Sequence, residues 1–168
     1  VAPPMQWDHH PEGAEWTEST LVAVSTKDPQ LSERIPADIE TWCPGYTEAS
    51  VEERRAFWTG LLSAVAKYES TWNENASGGG GRWIGLMQID PRSAANYGCD
   101  ATSVGALKDG EANLECAVEI MSRQVAKDGL VAGSGNRGIG RDWAPLRSSE
   151  KRAAMAALLK TFDTLEGK

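Results

Sequence analysis

Between Ser50 and Trp72 the chain carries one long, well-delimited helical signal, and that helix limits the possible folds more than any other segment. Ser50 followed by Glu53 reads as a capping box, and no proline interrupts the run from there to Trp72. At about 100° per residue, Trp58, Leu62, Val65, Glu69 and Trp72 fall within one narrow arc, with Leu61 beside them. Only Glu69 among them is charged. Desolvation on such a face disfavours the ionised carboxylate, and a place near the helix C-terminus adds the negative pole of the helix dipole. Both raise its proton affinity, the direction required of a carboxylic acid that holds a proton near neutral pH and gives it to a leaving group.

The rest of the chain also reads as helical. A first helix is predicted over residues 17–27, stopped by Asp28-Pro29, after an extended arm over residues 1–15 anchored by Trp7 or Trp16. Residues 30–49, broken by Pro36 and Cys43-Pro44-Gly45, predict a short helix between irregular stretches. Pro91 starts a helix through Asn96. Residues 111–127 place Leu114, Val118, Met121 and Val125 at core spacing, with Gly129 closing the helix. A last helix from about Ser148 carries Met155, Leu158, Leu159 and Phe162. Gly78 to Gly81 read as a mobile lip, residues 83–89 as a turn of helix or a brief strand, and residues 129–142 as a long surface loop. No strand signal is long enough to build a sheet core. The expectation is a mainly α fold with little or no β-sheet and a single domain over residues 1–168, in which an arm and short helices (1–49) pack on a core (50–168).

At 168 residues and 40% hydrophobic composition, one core suffices. No apolar run approaches the roughly 20 residues needed to cross a bilayer. The first residues lack the basic-then-apolar pattern of an export signal, and a start at Val1 is compatible with one already removed. The net charge of -7 is uneven: residues 1–77 carry -8 and residues 78–168 carry +1. Arg137, Arg141, Arg147 and Arg152 read either as a solvated surface or as a basic wall near an anionic ligand. Nucleic acid is a poor partner for an acidic chain, since little counterion release is available. Cys99 and Cys116 read as a bridge stapling a loop to the following helix, which implies an oxidising compartment, with reduced buried thiols as the alternative. Cys43 then stands outside that bridge. His9 and His10 match no zinc spacing and read as a mobile pair, so no metal or cofactor is expected.

The residues around Glu69 carry a further pattern. Tyr68-Glu69-Ser70-Thr71-Trp72-Asn73, the glycine run, and Gly85-Leu86-Met87-Gln88-Ile89-Asp90-Pro91 followed by Ala94, Ala95, Tyr97 and Gly98 resemble the soluble lytic transglycosylase domain, related to goose-type lysozyme. The resemblance implies a lysozyme-like fold with a glycan-binding cleft and peptidoglycan strands as substrate. It also implies that Glu69 is the lone catalytic carboxylate, which protonates the oxygen between N-acetylmuramic acid and N-acetylglucosamine. The same group then takes the proton of the sugar's C6 hydroxyl as a 1,6-anhydro ring closes, so no second carboxylate is needed. By the same mapping Ser70 positions Glu69, with a local hydrogen bond that ends the helix as the alternative, while Met87 and Gln88 line the cleft. Gln88 offers hydrogen bonds to sugar hydroxyl and acetamido groups, Met87 an adaptable apolar contact. Trp83 and Trp143 are candidate stacking faces, and Tyr97 a candidate substrate contact; core packing is the alternative for Met87, Trp143 and Tyr97.

The chain departs from the family in lacking an Ala-Tyr-Asn motif on a later helix, whose tyrosine contacts the catalytic glutamate. The region from Gly138 to Arg147 stands where it would be sought. Muramidase hydrolysis therefore stays open, with Glu74, Asp90 and Asp100 as candidate second carboxylates. A glycan-binding module without catalysis also stays open. So does an interaction protein, such as an antibacterial effector held by an inhibitor or immunity protein. Action on peptidoglycan implies an extracytoplasmic location, periplasmic or secreted.

Overall fold

The computed structural model describes residues 3–166, with side chains through residue 160. Among the described residues, seven α-helices and one two-stranded hairpin succeed one another in the order α1 (Gly13–Ser25), α2 (Ile39–Trp42), α3 (Val51–Ser70), β1 (Ser77–Gly78), β2 (Trp83–Ile84), α4 (Pro91–Asn96), α5 (Val104–Leu107), α6 (Gly110–Asp128) and α7 (Ser149–Glu166). The mainly α, lysozyme-like reading holds. One connected apolar cluster runs from Met5 to Ala156. None of the helices among the described residues is long and apolar enough to cross a membrane.

Helix α3 is the axis of the molecule. Its Ser50 side chain accepts from the Glu53 N–H at 3.1 Å while Glu53 accepts from the Ser50 N–H at 2.9 Å, the capping box expected from the sequence. Every residue from Phe57 to Ala66 is buried, so the helix has no solvated face along this stretch. Helices α1 and α7 pack against it, and α6 packs on α1. The helix stops at Ser70, two residues before the expected end, because Thr71 and Trp72 both adopt left-handed backbone (φ 51° and 57°). Trp72 therefore leaves the helical arc and folds back, its indole N–H donating to the Ser63 carbonyl at 2.9 Å.

The N-terminal arm is a run of turns, not an extended strand, and α1 begins at Gly13, four residues earlier than its sequence suggests. Both Trp7 and Trp16 anchor it, with rings meeting edge to face at 5.8 Å, and the Trp7 indole donates to Thr17 Oγ1 at 2.7 Å. Gly13 is required there, since a Cβ would lie 2.5 Å from the Trp7 carbonyl oxygen. His9 and His10 are seated, contrary to the mobile reading: His9 meets Trp72 at 4.8 Å and His10 meets Trp16 at 5.6 Å.

Residues 129–142 also differ from expectation, for Leu130, Val131, Ala132, Ile139 and Gly140 are buried and residues 138–141 form a 3-10 turn. Two carboxylates hold the segment inward. Asp38 accepts from the Val131 and Ala132 N–H groups at 2.7 and 3.1 Å, and Asp128 accepts from Gly138 N–H and pairs with Arg141. Met155 of α7 is fully buried and Leu158 and Leu159 are half-buried, whereas the side chain of Phe162 lies outside the described residues. Cys99 and Cys116 form the disulfide that ties the segment after α4 to α6, with Cα atoms 5.3 Å apart.

Candidate active site

Glu69 occupies the last turn of α3, one turn beyond the fully buried stretch, where the helix emerges into a cleft of about 380 Å³. Trp83, Gln88, Asp90, Ser93, Trp143 and Arg147 are among the other residues lining this cleft. Its carboxyl is half-buried and has no hydrogen-bond or ion-pair partner among the described residues. Burial pushes its pKa up to about 7, while the positive charges of Lys151 and Arg147 pull the other way. Near neutral pH such a group is present in both protonation states, as a donor that later becomes an acceptor must be.

Ser70 fixes the exit of the helix. Its hydroxyl donates to the Leu86 carbonyl at 2.8 Å and lies 3.3 Å from the Ala66 carbonyl, joining the end of α3 to the Gly85 to Ile89 segment. That segment is clamped from the other side by Asn113 of α6, which is fully buried. Asn113 accepts from the Met87 N–H at 2.9 Å and donates to the Ile84 and Leu107 carbonyls, each at 2.9 Å. Gly85 has φ 78°, and a Cβ there would meet the Leu107 oxygen at 2.3 Å. The loop is therefore held rigidly against both helices.

Within this loop Met87 is fully buried and presents no side-chain surface to the cleft. The core-packing alternative applies to it, and what it contributes to the cleft wall is a carbonyl that accepts the Trp143 indole N–H at 2.9 Å. Trp143 is only 2% exposed, so it forms a floor instead of an open stacking face. Gln88 lines the cleft with left-handed backbone (φ 49°). Its Nε2 donates to the Gly85 and Ala76 carbonyls at 3.0 and 3.3 Å, which leaves the amide oxygen as the group to meet a ligand.

Trp83 is 43% exposed at the cleft edge, with the Arg82 guanidinium 5.5 Å from its ring. The glycine run is the turn of the β1–β2 hairpin, with Gly79, Gly80 and Gly81 all at positive φ. A Cβ on Gly79 would lie 2.3 Å from the Trp83 ring, and one on Gly78 would lie 2.5 Å from Gln88 Oε1. The run is thus a platform on which two cleft side chains rest. Tyr97 does not line the cleft. It sits behind it, its hydroxyl accepting from Gln124 at 2.7 Å and donating to Asp142 at 3.3 Å.

Of the candidate second carboxylates, Asp90 alone reaches the cleft. Arg82 at 2.8 Å, the Arg92 N–H at 2.9 Å and the Arg92 side chain at 3.3 Å hold its pKa down at about 2. Glu74 caps the Gly110 N–H at 3.1 Å, and Asp100 lies on a separate groove between α1 and α6. Asn113, Asp142, Ser93 and Ile120 were not singled out by the sequence. Asn113 carried a signal nonetheless, as a polar residue one position before Leu114 on the core face of its helix. Among the described residues no group of three or more His, Cys, Asp or Glu could hold a metal ion.

Three solved structures of Bd0314 DslA share this fold. A glutamate-to-glutamine variant superposes with a TM-score of 0.86 at 28% identity over 96% of both chains. The wild-type form gives 0.83 at 27% over the same shares, and a second glutamate-to-glutamine variant gives 0.84 at 26% over 96% of this chain and 97% of that one. No curated protein matches in sequence. The model of the Transglycosylase SLT domain matches residues 48–157, from just before the α3 capping box to the middle of α7. Because that match takes in well over half of the chain and all of the cleft, the protein belongs to the Transglycosylase SLT domain family.

Proposed function

We propose that the chain cleaves the β-1,4 bond between N-acetylmuramic acid and N-acetylglucosamine in peptidoglycan, outside the cytoplasm, with Glu69 as general acid and then general base. Family membership supports a transglycosylase-like action on peptidoglycan. The observation that carries the reading is a partnerless, half-buried carboxyl with a pKa of about 7 at the floor of an open cleft. Protonated Glu69 gives its proton to the glycosidic oxygen as the bond from that oxygen to C1 of the muramyl sugar breaks. The C6 hydroxyl of the same sugar attacks C1 and returns a proton to the Glu69 carboxylate, closing the anhydro ring and restoring the acid.

Ser70 holds Glu69 in register with the loop that carries Gln88, whose amide oxygen accepts from a sugar hydroxyl or acetamido N–H. Trp83 offers its exposed ring face to a sugar. Trp143 forms part of the cleft floor, and Met87 and Tyr97 act behind the cleft surface by holding its walls.

A hydrolytic second reading draws on Asp90, an ionised carboxylate in the same cleft. Asp90 is tied to Arg82, Arg92 and a backbone N–H, and it is a poor base for activating water, so the lytic route is preferred. Mass spectrometry of digested peptidoglycan distinguishes the two: 1,6-anhydro ends are expected, and reducing muramyl ends with no anhydro product would overturn the lytic assignment.

A further inference from the structure

Glu69 apart, the charged side chains at the cleft nearly all have protein partners. Asp90 is matched by Arg82 and Arg92, Asp142 accepts from Gln124 and Tyr97, and Arg141 is neutralised by Asp128. Arg147 is the exception among the cations lining the cleft. It lines the cleft with Glu69, and no carboxylate lies within ion-pair distance of it among the described residues. Its guanidinium is also fixed, with Nε donating to the Gly140 carbonyl at 2.7 Å and Nη2 to the Arg141 carbonyl at 3.1 Å. These bonds hold a planar cation in place and leave its Nη1 edge without a partner among the described residues. A cation that the fold immobilises but does not neutralise fits an anion brought by the ligand.

Of the two sugars in a peptidoglycan strand, N-acetylglucosamine is uncharged, whereas the muramyl unit bears a lactyl ether ending in a carboxyl. That carboxyl is free when the stem peptide has been removed. When the peptide is attached it is an amide, and carboxylates lie further along the peptide. We infer that Arg147 is a specificity residue that binds a carboxylate of the muramyl unit and so selects anionic glycan over a neutral one. The inference rests on the reading that glycan strands occupy this cleft. An anion seated on Arg147 also cancels a positive charge that favours ionised Glu69, so the matched substrate drives the acid toward its protonated form.

Binding to E69Q protein tests this without turnover, with peptide-free glycan tetrasaccharide, the peptide-bearing tetrasaccharide and chitotetraose as probes. Peptide-free glycan is expected to bind about tenfold more tightly than chitotetraose, and R147Q in the same background to erase that difference while leaving chitotetraose unchanged. If the R147Q effect falls on the peptide-bearing ligand alone, the carboxylate comes from the stem and the subsite stands. Equal weakening for all three ligands, or no effect on any, overturns it. Because Arg147 also holds two carbonyls, salt dependence of binding to protein with Arg147 intact gives a second readout. Affinity for the anionic ligands should fall with ionic strength and that for chitotetraose should not, and identical salt responses would equally contradict the subsite. Activity in Glu69→Gln would defeat the catalytic reading but leave this binding result standing, whereas no binding of any glycan would remove both.

Discussion

In the proposed reaction a single carboxyl, Glu69, carries the proton transfers, and its environment makes two predictions. Burial raises the pKa of Glu69 in the folded state to about 7, from 4.5 in its absence. The folded protein therefore holds that proton more tightly than the unfolded chain. The associated stability is fully present below about pH 4.5 and is lost as pH rises through 7. E69Q removes this penalty: thermal melts at pH 8 should show the variant more stable than wild type by on the order of 2 kcal/mol, with the gain vanishing near pH 4. A constant difference across that range would contradict a raised pKa. The second prediction concerns Lys151, the stronger in effect of the two cations that favour ionised Glu69. K151M should move the alkaline limb of the rate profile to higher pH, since Glu69 then keeps its proton longer; a limb that stays in place or moves down would exclude that coupling.

At the scale of elements, the site depends on a loop gripped between two helices. Asn113→Ala removes the acceptor of the Met87 N–H and the donor to two buried carbonyls. It should destabilise the fold by about 2–3 kcal/mol in denaturant melts and lower turnover even under conditions where the protein is folded. Full activity in a destabilised variant would show that the loop does not need the clamp. The disulfide closes a 17-residue separation between the segment after α4 and helix α6, and reducing it or replacing both cysteines by serine should cost about 3 kcal/mol. Thermal unfolding with and without reductant measures this, and an unchanged transition would leave the bridge without a stabilising role. Much of this layer was legible in the sequence because the signals were local: the Ser50–Glu53 box, Gly129 after α6, and Pro91 at the start of α4. What could not be read was set by partners distant in sequence. Asp38 draws residues 131–132 inward across more than ninety positions, Trp72 leaves its helical arc for a carbonyl nine residues back, and the glycine run is shaped by the Trp83 ring resting on it. The same reason separates Met87 from Gln88: the sequence pattern named both, but only tertiary packing decides which of two neighbours faces the cleft.

For the molecule as a whole, α3 serves two purposes. Its burial from Phe57 to Ala66 makes it the helix around which α1 and α7 assemble, and its last turn delivers Glu69 to the cleft on a support that cannot shift without disturbing the core. The arm contributes by packing Trp7, Trp16 and the two histidines around the far end of that turn, at Trp72. The decisive comparison is turnover of purified peptidoglycan at neutral pH by wild type and by E69Q, with circular dichroism confirming that both are folded. A loss of about 10³-fold in the folded variant is predicted. Cleavage by E69Q at a rate within a few fold of wild type would contradict the assignment of Glu69 as the proton-transfer group.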